Sequence, residues 1–185
     1  AGHGTTSVDF RRYLGAYLQS QVLDTLTPDQ VTFLLQTSVL EELDGPLCNA
    51  ITGRGDSSAV LDELARRIQL VIELDGWPPR YRYHHLLADC LQVKLRGSDA
   101  DAWSQIHAKA ARWLAEQGEL DSAIRHAKNS GDLGLTGELV WSGIIPCIGS
   151  GRPDRLRSWL TDLDDRQLEK DRWLSLSASW LSLQE

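Results

Sequence analysis

The sequence predicts a mainly α-helical protein in two parts, and three observations predict it. Apolar residues recur at helical spacing over most of the chain. One segment breaks that pattern: Leu70 to Leu74 is short, apolar and β-branched, Asp75-Gly76-Trp77-Pro78-Pro79 reads as a turn, and Arg80 to Tyr83 reads as a return strand. Finally, two breaks in the second half, around Gly118 and Gly151, resemble one another at an offset of 33 residues, with Asp121 falling on Asp154. Helices followed by a two-stranded hairpin is the order of a winged helix. An offset near 34 is the period of tetratricopeptide-like α-hairpins. The expected organisation is a tag or linker remnant over residues 1–7, a winged helix over 8–97, and a helical-repeat region over 98–185 that is truncated at its C-terminal end.

The elements follow in order. Asp9 to Leu26 carries Phe10, Tyr13, Leu14, Tyr17, Leu18, Gln21 and Val22 on one stripe. Thr27-Pro28 restarts the chain, since Thr caps and Pro suits a first helical turn; Val31, Leu34, Leu35 and Ser38 carry the next helix to about Leu40. A short helix from Leu47 to Thr52 stops at Gly53. Asp56 or Ser57 caps another running through Val60, Leu61, Leu64 and Ile68. After the hairpin, helices are expected over His85 to Arg96, Asp99 to Gln117, Leu120 to Ser130, Leu133 to Ile148, Arg152 to Leu163, and Asp165 to about Leu183.

Composition narrows the function. The 185 residues are 42% apolar, with a net charge of -7 and a pI near 5.2. Nucleic-acid modules usually carry a basic face, so DNA binding by this chain itself is disfavoured. No apolar run is long enough for a membrane span. Methionine is absent, even at position 1, which reads as an excised fragment of a longer chain. Cys48, Cys90 and Cys147 are odd in number and far apart, which fits buried thiols in a reduced, cytoplasmic setting.

Catalytic patterns are missing from the sequence. There is no GxxxxGK[ST] phosphate loop, and Gly53-Arg54-Gly55 and Gly149-Ser150-Gly151 read as turn and cap glycines. Arg54-Gly55-Asp56 matches an adhesion tripeptide by chance. His84, His85, Cys90, His107 and His126 have no metal-ligand spacing, and the adjacent histidines are expected to diverge. His85 and Cys90 fall on different helical faces, which argues against a thiol–base pair and for a buried structural Cys90. His85 and Asp89 are spaced for a local hydrogen bond. Trp103, Trp113, Trp141, Trp159, Trp173 and Trp180 fall on helices as packing residues, with Trp77 in the hairpin turn the exception. His84, where strand gives way to helix, is the candidate binding residue, because the first N–H groups of a helix favour an anion. Spacing alone leaves it either a phosphate contact or a capping and packing histidine.

Three runs in order carry a family resemblance: Phe33 to Leu40 (FLLQTSVL), Leu47 to Gly53 (LCNAITG), and Tyr81 to Asp89 (YRYHHLLAD). Together they resemble the MalT-type signal-transduction ATPases, bacterial transcriptional regulators of the LuxR class, over about Val8 to Asp132. The resemblance implies an ATPase module upstream, a helical inducer-sensing region downstream, and DNA contact only through a C-terminal domain outside this chain. ATP or ADP belongs to the parent; the fragment itself is expected to hold no cofactor and to be no enzyme. Self-association is a further implied interaction, and the membrane is not. In relatives with a Met-His-Asp-Leu-Leu motif, the histidine reaches the nucleotide β-phosphate. Here the run is Tyr83-His84-His85-Leu86-Leu87, so His84 matches that histidine and His85 replaces the acidic residue. Two other readings stand beside this one: a self-sufficient winged-helix DNA binder, with Ser57 to Ile68 as recognition helix, and the same regulatory region fused to a protein kinase.

Overall fold

The structure, a computed structural model, describes residue 18 and residues 20–149 and 153–183. The expected remnant over 1–7, most of the stripe from Asp9, and Ser150-Gly151 lie outside the described residues. The chain divides into two compact units between Ala102 and Trp103.

In the first unit the chain is helical at Leu18, Ser20 and Gln21, then tightens into a 3-10 turn over Leu23–Thr25. The helix therefore does not reach Leu26, whose backbone is extended. Thr25 Oγ1 donates to the Val22 carbonyl at 2.7 Å, which closes the tighter turn. Pro28 favours an extended Thr27, and Thr27 caps α1 (Pro28–Thr37). The cap is reciprocal: the Gln30 N–H donates to Thr27 Oγ1 at 3.2 Å, and the Thr27 N–H donates to Gln30 Oε1 at 3.1 Å. α1 stops short of Leu40 because the chain turns at Ser38. α2 (Gly45–Thr52) begins two residues earlier than expected. Asp44 caps it, accepting from the Leu47 N–H at 2.7 Å, and Pro46 occupies its first turn. Gly53, with φ 77°, ends it as expected.

α3 (Ser57–Arg67) buries Ser57, Leu61 and Leu64 on one stripe. β1 (Val71–Leu74) and β2 (Arg80–Tyr83) pair antiparallel, with Val71 opposite Tyr83 and Leu74 opposite Arg80. β2 alternates exposed arginines with buried tyrosines, so one face of the hairpin is core. Tyr81 also exchanges two backbone hydrogen bonds of 2.8 Å with Leu43, a bridge the sequence pattern does not announce. α4 (His85–Ser98) buries Leu87, Leu91 and Leu95, four residues apart, and packs against α1. Phe33, Leu34, Leu43, Ile51, Leu61, Leu64, Leu87 and Leu91 fill this core. The arrangement is a winged helix.

The second unit is all helical among its described residues: α5 (Ala100–Glu116), which starts just before the unit boundary, α6 (Leu120–Ser130), α7 (Leu133–Gly149), α8 (Pro153–Leu160), α9 (Asp165–Lys170) and α10 (Arg172–Ser182). The first helix of the second pair begins and ends 33 residues after that of the first, and α8 begins 33 after α6. Asp121 and Asp154 do not share a role, however. Asp121 accepts from Arg155 and from Trp159, whereas Asp154 pairs with Arg157 on its own helix.

α7 packs on α6, α8 and α10 around Ile124, Val140, Ile144, Cys147, Leu156, Trp159 and Leu174. A side chain at Gly143 would place its Cβ 2.5 Å from the Trp159 ring and 2.6 Å from Leu120 Cδ2, so glycine permits this approach. The single helix expected from Asp165 to Leu183 is two. Asp171 takes an extended conformation, and its Oδ1 accepts from the N–H groups of Trp173 and Leu174 at 2.9 and 3.1 Å, capping α10. The same carboxylate lies against Gly137 of α7, where no Cβ would fit.

Candidate functional site

His84 sits at the end of β2 as the N-cap of α4. Three backbone bonds fix it. Its N–H donates to the Leu70 carbonyl at 2.7 Å, and its carbonyl accepts from Leu87 and Ala88 at 2.9 and 3.1 Å. Its ring Nδ1 accepts from the Leu86 N–H at 3.4 Å. The ring is half-buried.

The strand beneath it is pinned from both sides. Tyr83 is buried, and its hydroxyl lies 2.6 Å from Thr37 Oγ1. Thr37 Oγ1 itself donates to the Phe33 carbonyl at 2.7 Å, so the tyrosine hydroxyl is the donor between them. Burial holds the Tyr83 phenol well above its ordinary range. The Tyr81 hydroxyl donates to Asp62 of α3, and burial followed by that carboxylate pushes its pKa up to about 12. Gln92 Nε2 donates to the Ser38 carbonyl at 2.8 Å, tying α4 to the end of α1. His84 is thus mounted on a rigid frame, the condition for positioning a ligand group.

The other histidines differ from expectation in two ways. His84 and His85 do not diverge: their ring centroids are 4.4 Å apart and tilted by 31°. The helix begins between them, which brings the two rings to the same end of α4. His107 and His126, 19 residues apart, meet in the second unit with their Nδ1 atoms 2.9 Å apart, both rings buried. The Trp103 ring lies 4.5 Å from His107, and its Nε1 donates to the Asn129 carbonyl at 3.2 Å. Burial, then the neighbouring His107 and Arg125, lowers the His126 pKa from 6.5 to about 3. Helical spacing alone does not reveal this pair, because its members lie on separate helices.

Cys48 and Cys147 are buried and in no disulfide, but Cys90 is only half-buried, since it lies off the Leu87–Leu91–Leu95 stripe. Burial raises the Cys48 thiol to about 12 and also raises Cys90. Neither is an activated nucleophile. Among the described residues no group of three or more His, Cys, Asp or Glu side chains could hold a metal ion, and no helix is long and apolar enough to cross a membrane.

Arg54 of the Arg-Gly-Asp run folds back on Asp56 at 2.8 and 3.0 Å and reaches Asp29 at 2.7 and 2.8 Å, joining α1 to the start of α3. The tripeptide is a structural clasp. Of the tryptophans, Trp159 is buried, Trp141 is partly exposed and stacked on Trp173 at 4.9 Å, and Trp77 is 90% exposed at the hairpin tip.

Comparison with known proteins gives this frame a family. The family model "MalT winged helix domain" matches residues 19–103. The HTH-type transcriptional regulators MalT of Vibrio cholerae and Vibrio campbellii are 27% and 28% identical over 170 and 171 residues. Each alignment covers 92% of this chain and 19% of the relative. The serine/threonine-protein kinase PknK of Mycobacterium tuberculosis is 34% identical over 124 residues, covering 67% of this chain and 11% of the kinase. The chain therefore spans between about a tenth and a fifth of the length of these relatives. Residues 19–103 match the MalT winged helix domain family, and the MalT transcriptional regulators are homologues over 92% of this chain.

Proposed function

We propose that this chain is the regulatory portion of a MalT-like, LuxR-class regulator. It couples the nucleotide state of an ATPase module elsewhere in the parent to a helical, inducer-sensing region that begins with α5 and α6. The parent works in the cytoplasm, reads DNA through a separate C-terminal domain and self-associates when switched. The observation that carries this reading is His84. It is a half-buried imidazole at the N-cap of α4, held in place by the buried bond from Tyr83 to Thr37 and by its own N–H to the Leu70 carbonyl.

In the closed state His84 meets a phosphate oxygen of ADP on the opposing module. Triphosphate or inducer binding releases the winged helix, a two-state bias of the whole chain. The 33-residue recurrence of helix bounds supports a tetratricopeptide-like continuation from α5 onward. His84 is half a site, so the chain alone should give no heat with ADP in calorimetry. In the full-length parent, H84A should weaken ADP retention at least tenfold. Unchanged retention would remove His84 from the switch.

The similarity to PknK favours a second parent architecture, in which the same regulatory region is fused to a protein kinase. The reading frame of the parent separates the two. A self-sufficient DNA binder is less well supported. On α3, the would-be recognition helix, Asp62 is taken by Tyr81, Glu63 accepts from Gln30, and Arg67 donates to the Thr25 carbonyl. Tight, salt-sensitive anisotropy changes with random duplex DNA would revive it.

A further inference from the structure

We propose that the cap at the start of α4 fixes the tautomer of His84, so that the ring presents one donor, Nε2–H, and takes an oxygen that only accepts, as a phosphate oxygen does. This rests on the reading of His84 as a phosphate contact and names the chemistry of that contact. The argument begins with Leu86, whose backbone N–H can only donate. It points at His84 Nδ1, 3.4 Å away, so Nδ1 must carry a lone pair. A neutral imidazole with a lone pair on Nδ1 carries its hydrogen on Nε2.

The other forms lose the cap. The opposite tautomer sets a ring N–H against the Leu86 N–H. A ring flipped about its Cβ–Cγ bond would present Cδ2 there instead. Rotation is further restricted by the His85 ring at 4.4 Å and by the bonds that lock the His84 backbone to Leu70, Leu87 and Ala88. With Nε2 protonated, the ring is also a poor metal ligand, since metal binding needs that lone pair. The two jobs of this residue are therefore coupled. Capping the helix with one nitrogen leaves the other as the donor.

The test uses the chain itself, 15N-labelled, in long-range 1H–15N correlation spectra at slightly alkaline pH, with His84 assigned from the signals lost in the variants. A pyridine-type Nδ1 and a pyrrole-type Nε2 are expected. A pyrrole-type Nδ1 would overturn the proposal. H84N and H84A then separate capping from donation. Asparagine caps as well but has no Nε2, so H84N should keep the thermal midpoint, whereas H84A should lower it by about 2–4 °C. If H84N fell as far as H84A, the cap would not be the force that sets the ring. Both results are independent of nucleotide: a correct tautomer with unaltered ADP retention in H84A parent would defeat the phosphate reading alone.

Discussion

Acid should weaken the second unit through one buried pair, His107 and His126. Their Nδ1 atoms lie 2.9 Å apart, so they share a single proton, and neither ring is exposed to water. The unfolded chain takes up a proton on His126 near pH 6.5, but in the folded protein burial and the adjacent His107 delay this to about 3. Between those values the unfolded state binds more protons, so stability is complete above 6.5 and is lost as pH falls. Each pH unit in that window costs about 1.4 kcal/mol, and the fall from pH 7 to pH 5 costs roughly 2 kcal/mol. Urea unfolding followed by circular dichroism at the two pH values reads this directly. H126F supplies the control, because phenylalanine fills the site without titrating. The loss between pH 7 and 5 should shrink by most of that amount in H126F. An equal loss in both proteins would show that the pair does not govern acid stability.

Other expectations follow from close packing and paired groups. G143A should destabilise by about 1–3 kcal/mol in chemical denaturation, because its methyl meets the Trp159 ring and Leu120. T37V should cost about 1–3 kcal/mol by leaving the buried Tyr83 hydroxyl without its acceptor. Y83F should cost less, since Thr37 still donates to the Phe33 carbonyl. R54A should lower the thermal midpoint at low salt, and added salt should narrow the gap from the parent protein, as ion-pair screening requires.

The candidate site was legible in the sequence to the extent that it is local. Tyr83-His84-His85 lies where alternating burial gives way to helical periodicity, and both signals span only a few neighbouring residues. The resemblance of this run to MalT-type ATPases pointed to the same histidine. The frame around it was not legible. Thr37 and Tyr83 are 46 residues apart, and Leu43 joins Tyr81 from a segment with no strand pattern. No propensity encodes such partners, because either residue would be acceptable elsewhere.

The sequence by itself determined where helices and the hairpin start and stop wherever the signal is a cap or a breaker. Thr27-Pro28, Gly53 and the turn at Gly76 act through backbone geometry within a few residues, and Asp44 with Pro46 is a signal of the same kind that apolar spacing alone missed by starting that helix at Leu47. Tertiary structure decided what those signals could not reach. It placed the carboxylate of Asp171, itself a local cap of α10, against Gly137, and it set His107 against His126. Local rules govern the backbone's own hydrogen bonds, whereas close packing chooses which distant side chains share a space, and that choice exists only once the helices have docked.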